Sequence, residues 1–247
     1  MLALSFGASG VYAIVTIVQR LTREAALSSQ TATINRPLAD QAVFDLIYQL
    51  LGFVFGLAPV ALVVYLLWRD RAPHLGRLGL GRPVRSASPR GNGGRWWLGE
   101  TGYGVLLAAV IGIPGLVFYV FARAIGINAT VVPAALDDHW WTVPVLVLMA
   151  LKAALGEDLI VVAYLFERLR RLGVGPVATI VSSALLRGSY HLYQGFGGFV
   201  GNIVMGVVFG LAYLRFKRVG PLVAAHFLLD LVAFVGYSLL APYVDWL

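Results

Sequence analysis

Apolar residues run along this chain in blocks too long and too unbroken for the surface helices of a water-soluble domain. A bilayer core takes roughly 20 apolar residues per helix. Six blocks approach that length, at about 42–68, 102–124, 141–166, 175–194, 198–216 and 221–241. A seventh, about 2–18, is shorter and contains Ser5, Ser9 and Gly10. It has neither a basic leader nor a small-residue cleavage site, so it reads as a retained first helix rather than a signal peptide. The pattern predicts an all-α fold, a polytopic transmembrane bundle of about seven helices.

Composition supports that reading. Of 247 residues, 59% are hydrophobic and only 13% charged, and the mean hydropathy is +0.81; a soluble domain carries about 25% charged residues. The absence of cysteine excludes a thiol nucleophile, a disulfide framework and a zinc-thiolate site. The net charge of +7 is almost wholly arginine, since Lys152 and Lys217 are the only lysines. Because the arginines cluster between apolar blocks, they mark orientation in a membrane and give no sign of a nucleic-acid partner. Arginine in place of lysine, with abundant Ala, Gly and Val, points to a GC-rich bacterial genome and a bacterial cytoplasmic membrane.

The segment 69–99 holds Arg69, Arg71, Arg77, Arg82, Arg85, Arg90 and Arg95 against Asp70 alone. Further basic turns follow at Arg168, Arg170 and Arg171 and at Arg215, Lys217 and Arg218. The alternate connections are poorer in cations: 125–139 carries Asp137 and Asp138, and the tail ends near Asp245. With seven helices this places the N-terminus inside and the C-terminus outside. Arg82–Arg95 is rich in Pro, Ser and Gly and reads as a cytoplasmic linker. Trp96, Trp97, Trp140 and Trp141 fall at span ends, where indoles favour the headgroup boundary. The pairs Gly52/Gly56, Gly197/Gly201 and Gly206/Gly210 read as close-packing faces. The chain shows no internal repeat. It divides into N-terminal membrane helices over 1–140 and a core over 141–241.

Inside the apolar blocks stand Glu157 with Asp158, then Arg187 with His191, then His226 with Asp230. Ionisable groups in a membrane are costly and mark function by default. Glu157 lies roughly 15 Å along a helix from the Arg168 boundary, near the midplane. Arg187 and His191, like His226 and Asp230, are four apart and share a helix face. Straight-helix depths place His226 nearer the cytoplasmic side and His191 nearer the outer side. Both reach Glu157 only if helices tilt, start late or kink, with Gly188 and Pro221 as candidate places. Asp45 reads as solvated near a span end, and Lys152 has no evident role.

The order of an acidic pair, a histidine and a His-x-x-x-Asp on successive helices resembles the CPBP family. These are the CAAX-protease and bacteriocin-processing intramembrane proteases, also called Abi proteins. The family pattern is Glu-Glu-x-x-x-Arg, Phe-x-x-x-His and His-x-x-x-Asn or Asp. Here the three read Glu157-Asp158-x-x-x-Val162, Arg187-x-x-x-His191 and His226-x-x-x-Asp230, within about 141–241. The resemblance implies a membrane-embedded endopeptidase in which Glu157 activates water. His191 would position that water, while His226 and Asp230 would polarise the carbonyl. Asp158 and Arg187 would support them. A metalloprotease variant would place Zn²⁺ on Glu157, His191 and His226, although the glutamate route needs no cofactor. The implied partners are the lipid bilayer and a peptide or membrane-protein substrate. Two departures, Val162 for arginine and Arg187 for phenylalanine, suggest that Arg187 pairs with Asp158 across helices in place of the missing arginine. The alternatives are a catalytically silent CPBP-like scaffold and a proton-coupled transporter using the same acids and histidines.

Overall fold

The computed structural model of the chain describes residue 2, residues 5–68 and residues 93–240. Most of the expected linker and the tail bearing Asp245 lie outside the described residues. The remainder is an all-α bundle with one small strand pair.

Helix α1 (Phe6–Leu21) buries Gly10, Ala13 and Ile17 along one face, a spacing of three to four residues that suits a helix lying against the bundle. Helices α2 (Ala42–Gly56) and α3 (Ala58–Trp68) continue one another across Leu57. Helix α4 (Gly93–Ala124) contains Pro114. Helix α5 covers residues 142–171 and has three parts: an α segment Thr142–Glu157, a π segment Asp158–Tyr164 and an α segment Leu165–Arg171. Helix α6 is Pro176–His191, with proline in its first turn, where a missing N–H costs nothing. Helix α7 is Phe196–Phe216, ended by Lys217 at φ 56°. Helix α8 runs over Gly220–Leu240 and includes a second π turn, Val232–Gly236.

Four stretches are long and apolar enough to cross a membrane: Ala42–Leu67, Leu98–Ala124, Phe196–Phe216 and Gly220–Leu240. The sequence suggested spans at 141–166 and 175–194 as well. Helix α5 misses because Lys152, Glu157 and Asp158 interrupt it, and α6 because it is only 16 residues long. Other helices enclose the middle of α5, where every residue from Glu157 to Ala163 is buried, whereas α6 leaves Val177, Val181 and Leu185 exposed on one face.

The all-α expectation omits one element. Strand β1 (Thr31–Asn35) pairs in parallel with β2 (Thr130–Ala134), in the register Thr31 to Thr130 and Asn35 to Ala134. The pairing ties the α1–α2 connection to the α4–α5 connection. Beside it, buried Asn128 accepts a hydrogen bond from the Gly198 N–H at 2.7 Å and so caps α7 from a distant part of the chain.

Glycines set the closest helix contacts. A Cβ on Gly206 would lie 2.8 Å from the Ala184 Cα, and one on Gly188 would lie 2.6 Å from Ile203 Cγ1. Of the three expected glycine faces, Gly206/Gly210 packs as anticipated. Gly52 and Gly201 do not: a Cβ at Gly52 meets nothing within 4 Å, and one at Gly201 makes only ordinary contact with Phe118 at 3.7 Å. Gly104 and Gly112 take their place, turned against Ala224 and Leu229 of α8. Gly56 admits the aliphatic stem of Lys152.

Chain direction places the basic turns at one end of the bundle and the strand pair at the other. Arg218 bridges to Glu100 at 3.0 Å, and Arg168 donates to the Leu66 carbonyl at 3.2 Å, both at the basic end. There Arg170 and Arg171 hydrogen-bond the Glu167 carboxylate and hold its carboxyl below the usual range. Above these turns an apolar cluster including Val63, Leu159, Val162, Phe166, Phe209 and Leu222 fills the bundle. Asp45, expected to be solvated, accepts from the Leu38 N–H at 2.7 Å and from Gln49 at 3.2 Å, anchoring the start of α2.

Candidate active site

The three polar segments that the sequence separates by tens of residues converge on one buried cluster. Glu157 ends the α part of α5 and Asp158 opens its π segment. A π turn bonds i to i+5 and is wider than an α turn. Ser183 of α6 donates to the Val161 carbonyl inside it at 2.8 Å, which supports the irregular turn from the neighbouring helix.

Arg187 lies at the centre and is 1% exposed. Its Nη2 is 3.0 Å from Glu157 Oε2 and 2.9 Å from His226 Nδ1, and its Nη1 is 3.3 Å from Asp158 Oδ1. The guanidinium also lies 5.0 Å from the centre of the Phe209 ring, a cation–π contact in a dry setting. Arg187 therefore reaches Asp158 across helices, as the exchange of residues suggested, and reaches Glu157 too. A guanidinium can only donate, so His226 Nδ1 accepts and the ring proton sits on Nε2, which faces Asp230 Oδ2 at 3.5 Å. The same Nδ1, unprotonated in this tautomer, has no hydrogen to give Asp158 Oδ2 at 3.4 Å, and that oxygen is buried without a hydrogen bond.

Glu157 has a further partner that the sequence reading missed. The Tyr190 hydroxyl donates to its Oε2 at 2.8 Å, and the Tyr190 ring packs on Phe6 of α1 at 4.8 Å. A tyrosine beside the expected histidine was the available signal, but helix periodicity alone does not say which of two adjacent residues turns inward. His191 Nε2 stands 3.7 Å from the same Oε2, too far for a direct bond, and is buried without a partner. On the other side of its ring, Gln194 Nε2 lies 3.5 Å from Nδ1. The three helices nevertheless meet at one level: His191 is the last residue of α6, and Glu157 stands where the α part of α5 gives way to its π segment.

A cavity of about 590 Å³ adjoins the cluster. Glu157, His191, His226 and Asp230 all line it. Its opposite wall comes from α1, through Phe6, Ser9, Tyr12, Ala13 and Thr16. Asn202 of α7 and Ile34 of β1 also contribute to the lining. Residues from both sides of position 140 therefore form this chamber.

The proposed zinc ligands fit a metal poorly. Among the described residues no three His, Asp or Glu side chains are grouped so that they could hold an ion. Arg187 already places a permanent positive charge against Glu157 and His226, where a divalent cation would meet repulsion.

Helices α5 and α6 and the first half of α8, which carry every acid and imidazole of the cluster, also define the reach of the family comparison. Residues 139–232 match the family model for Rce1-like type II CAAX prenyl endopeptidases. The match agrees with the CPBP resemblance and ends two residues past Asp230. The Rce1-like region thus contains all six charged or imidazole side chains of the cluster, whereas α1, which closes the cavity, lies outside it. Searches among curated proteins and among solved structures found no significant match.

Proposed function

We propose that the protein is a membrane-embedded endopeptidase in which Glu157 acts as general base on a water molecule. The supporting observation is the unpartnered, buried His191 Nε2 facing Glu157 across 3.7 Å at the cavity wall. A buried polar atom without a partner is costly, and a water bonded to both side chains would satisfy it. The bound water would attack the scissile carbonyl carbon while Glu157 takes its proton. The C–N bond then breaks, and the same proton passes to the leaving amine. The Tyr190 hydroxyl and Arg187 Nη2 both sit at Oε2, so Oε1 is the oxygen that would take the water. His226 carries its proton on Nε2 near the cavity and would donate to the developing oxyanion beside Asp230.

The test is Glu157→Gln, which preserves shape and removes the base. Purified protein in liposomes is given a mixture of internally quenched apolar peptides, with products read by mass spectrometry. A loss of about 10²–10⁴-fold is expected for a general base; full retention would overturn the proposal. A second reading, a catalytically silent membrane scaffold, draws on the Arg187 contact that already occupies Glu157. It requires that Glu157→Gln leave the cellular phenotype intact.

A further inference from the structure

The cavity and the positive charge lie toward opposite ends of the molecule. Its floor is at Glu157 and His226, and its rim reaches Thr16, Tyr193, Gln194 and Ile34, on the side of the strand pair. None of its lining comes from the basic turns 168–175 or 215–220. Below the floor, the cluster of Leu159, Val162, Phe209 and Leu222 closes the bundle toward those turns, and such close-packed apolar interiors hold no path for water or peptide.

The two ends differ strongly in cations. The basic end carries Arg168, Arg170, Arg171, Arg215, Lys217 and Arg218. The end with the strand pair has Arg20, Arg23, Arg36 and Arg123. Positive loops stay on the cytoplasmic side.

Resting on the hydrolase reading above, we infer that the site is reached from the non-cytoplasmic face. Its substrates are then peptide segments presented on that face, such as exported peptides or outward-facing parts of membrane proteins, rather than tails of cytosolic proteins. A chain running in from the rim passes Ile34 and Thr16 before its carbonyl meets Glu157. The polar groups on the way (Ser9, Thr16, Gln194 and Asn202) suit hydrogen bonding to an extended backbone.

The chain has no cysteine, so single cysteines report sidedness cleanly. Asp40→Cys marks the strand-pair end and Leu172→Cys the basic end, both at exposed positions; Thr16→Cys marks the cavity wall. Each variant is expressed in a bacterial host, and right-side-out spheroplasts are treated with a membrane-impermeant maleimide. The expected result is labelling of Asp40→Cys and Thr16→Cys in intact spheroplasts, and of Leu172→Cys only after permeabilisation. Labelled Thr16→Cys protein should also lose peptide cleavage. The inference is overturned if Leu172→Cys labels while Asp40→Cys is protected, or if Asp40→Cys labels while Thr16→Cys does not. Sidedness is read without catalysis, so its failure is distinct from survival of activity in Glu157→Gln, which would sink the hydrolase reading instead.

Discussion

The guanidinium of Arg187 stands 3.0 Å from the Glu157 carboxylate, joining a residue of α6 to the acid of α5. The same group serves Asp158 and His226. One side chain therefore bridges two adjacent acids and fixes the tautomer of a histidine on a third helix. Removing it would leave two buried acids without a counter-ion. Breaking a buried ion pair costs about 3–5 kcal/mol, so Arg187→Phe should lower the detergent-solubilised melting temperature sharply. Arg187→Lys should recover only part of the loss, because an ammonium cannot span three partners in a plane. Val162 belongs to the same apolar cluster as Phe209, the ring beneath Arg187. The pair Arg187→Phe with Val162→Arg should accordingly regain stability and cleavage relative to Arg187→Phe. If the double variant melts no higher than the single, the two positions do not substitute for one another.

Tyr190→Phe isolates one hydrogen bond. The ring and its contact with Phe6 remain, while the donor to Glu157 Oε2 goes. A bond to a charged acceptor is worth about 1.5–3 kcal/mol, so cleavage should fall roughly tenfold to a hundredfold. The change should appear in kcat and leave KM nearly unaltered. An equal effect on KM would indicate that Tyr190 contacts substrate instead.

Metal dependence can be checked directly. With Arg187 between the expected ligands, prolonged dialysis against a strong chelator should leave cleavage unchanged, and added Zn²⁺ should not raise it. Activity that disappears on chelation and returns with stoichiometric metal would contradict this arrangement.

Close helix contacts offer a control distant from the chemistry. Gly206→Ala would bring a methyl within 2.8 Å of the Ala184 backbone, whereas Gly52→Ala meets open space. Overpacking costs about 1–3 kcal/mol. The first variant should therefore lower the melting temperature, and the second should leave it unchanged. Equal melting temperatures would mean that α6 and α7 are free to separate.

Much of this architecture was legible in the sequence, because lipid and water impose different residue types. Apolar block length located the helices, and the intramembrane acids and histidines located the cluster. The parallel strand pair was not legible: five-residue segments 99 positions apart carry no periodicity linking them, and only their mutual hydrogen bonds define them. Tyr190 was missed because the inward direction at the end of α6 depends on how α6 meets α1. The place of Gly52 was misjudged because spacing of glycines shows where helices can approach, not where they do. The wall supplied by α1 was invisible for the same reason, since Ser9, Tyr12 and Thr16 read as incidental polar residues in a short apolar block.

The π segment Asp158–Tyr164 also bears on how this protein tolerates change in length. A π turn holds one residue more than the α turn it replaces, so it is a place where a helix carries surplus chain. Deleting one residue there would shorten the rod between Glu157 and Arg168 without breaking the regular turns on either side. Elsewhere in α5 the same deletion would swing all later side chains by about 100°. Natural length variation in this helix should therefore collect at 158–164, and alignments that forbid gaps inside helices would misplace the residue opposite Arg187.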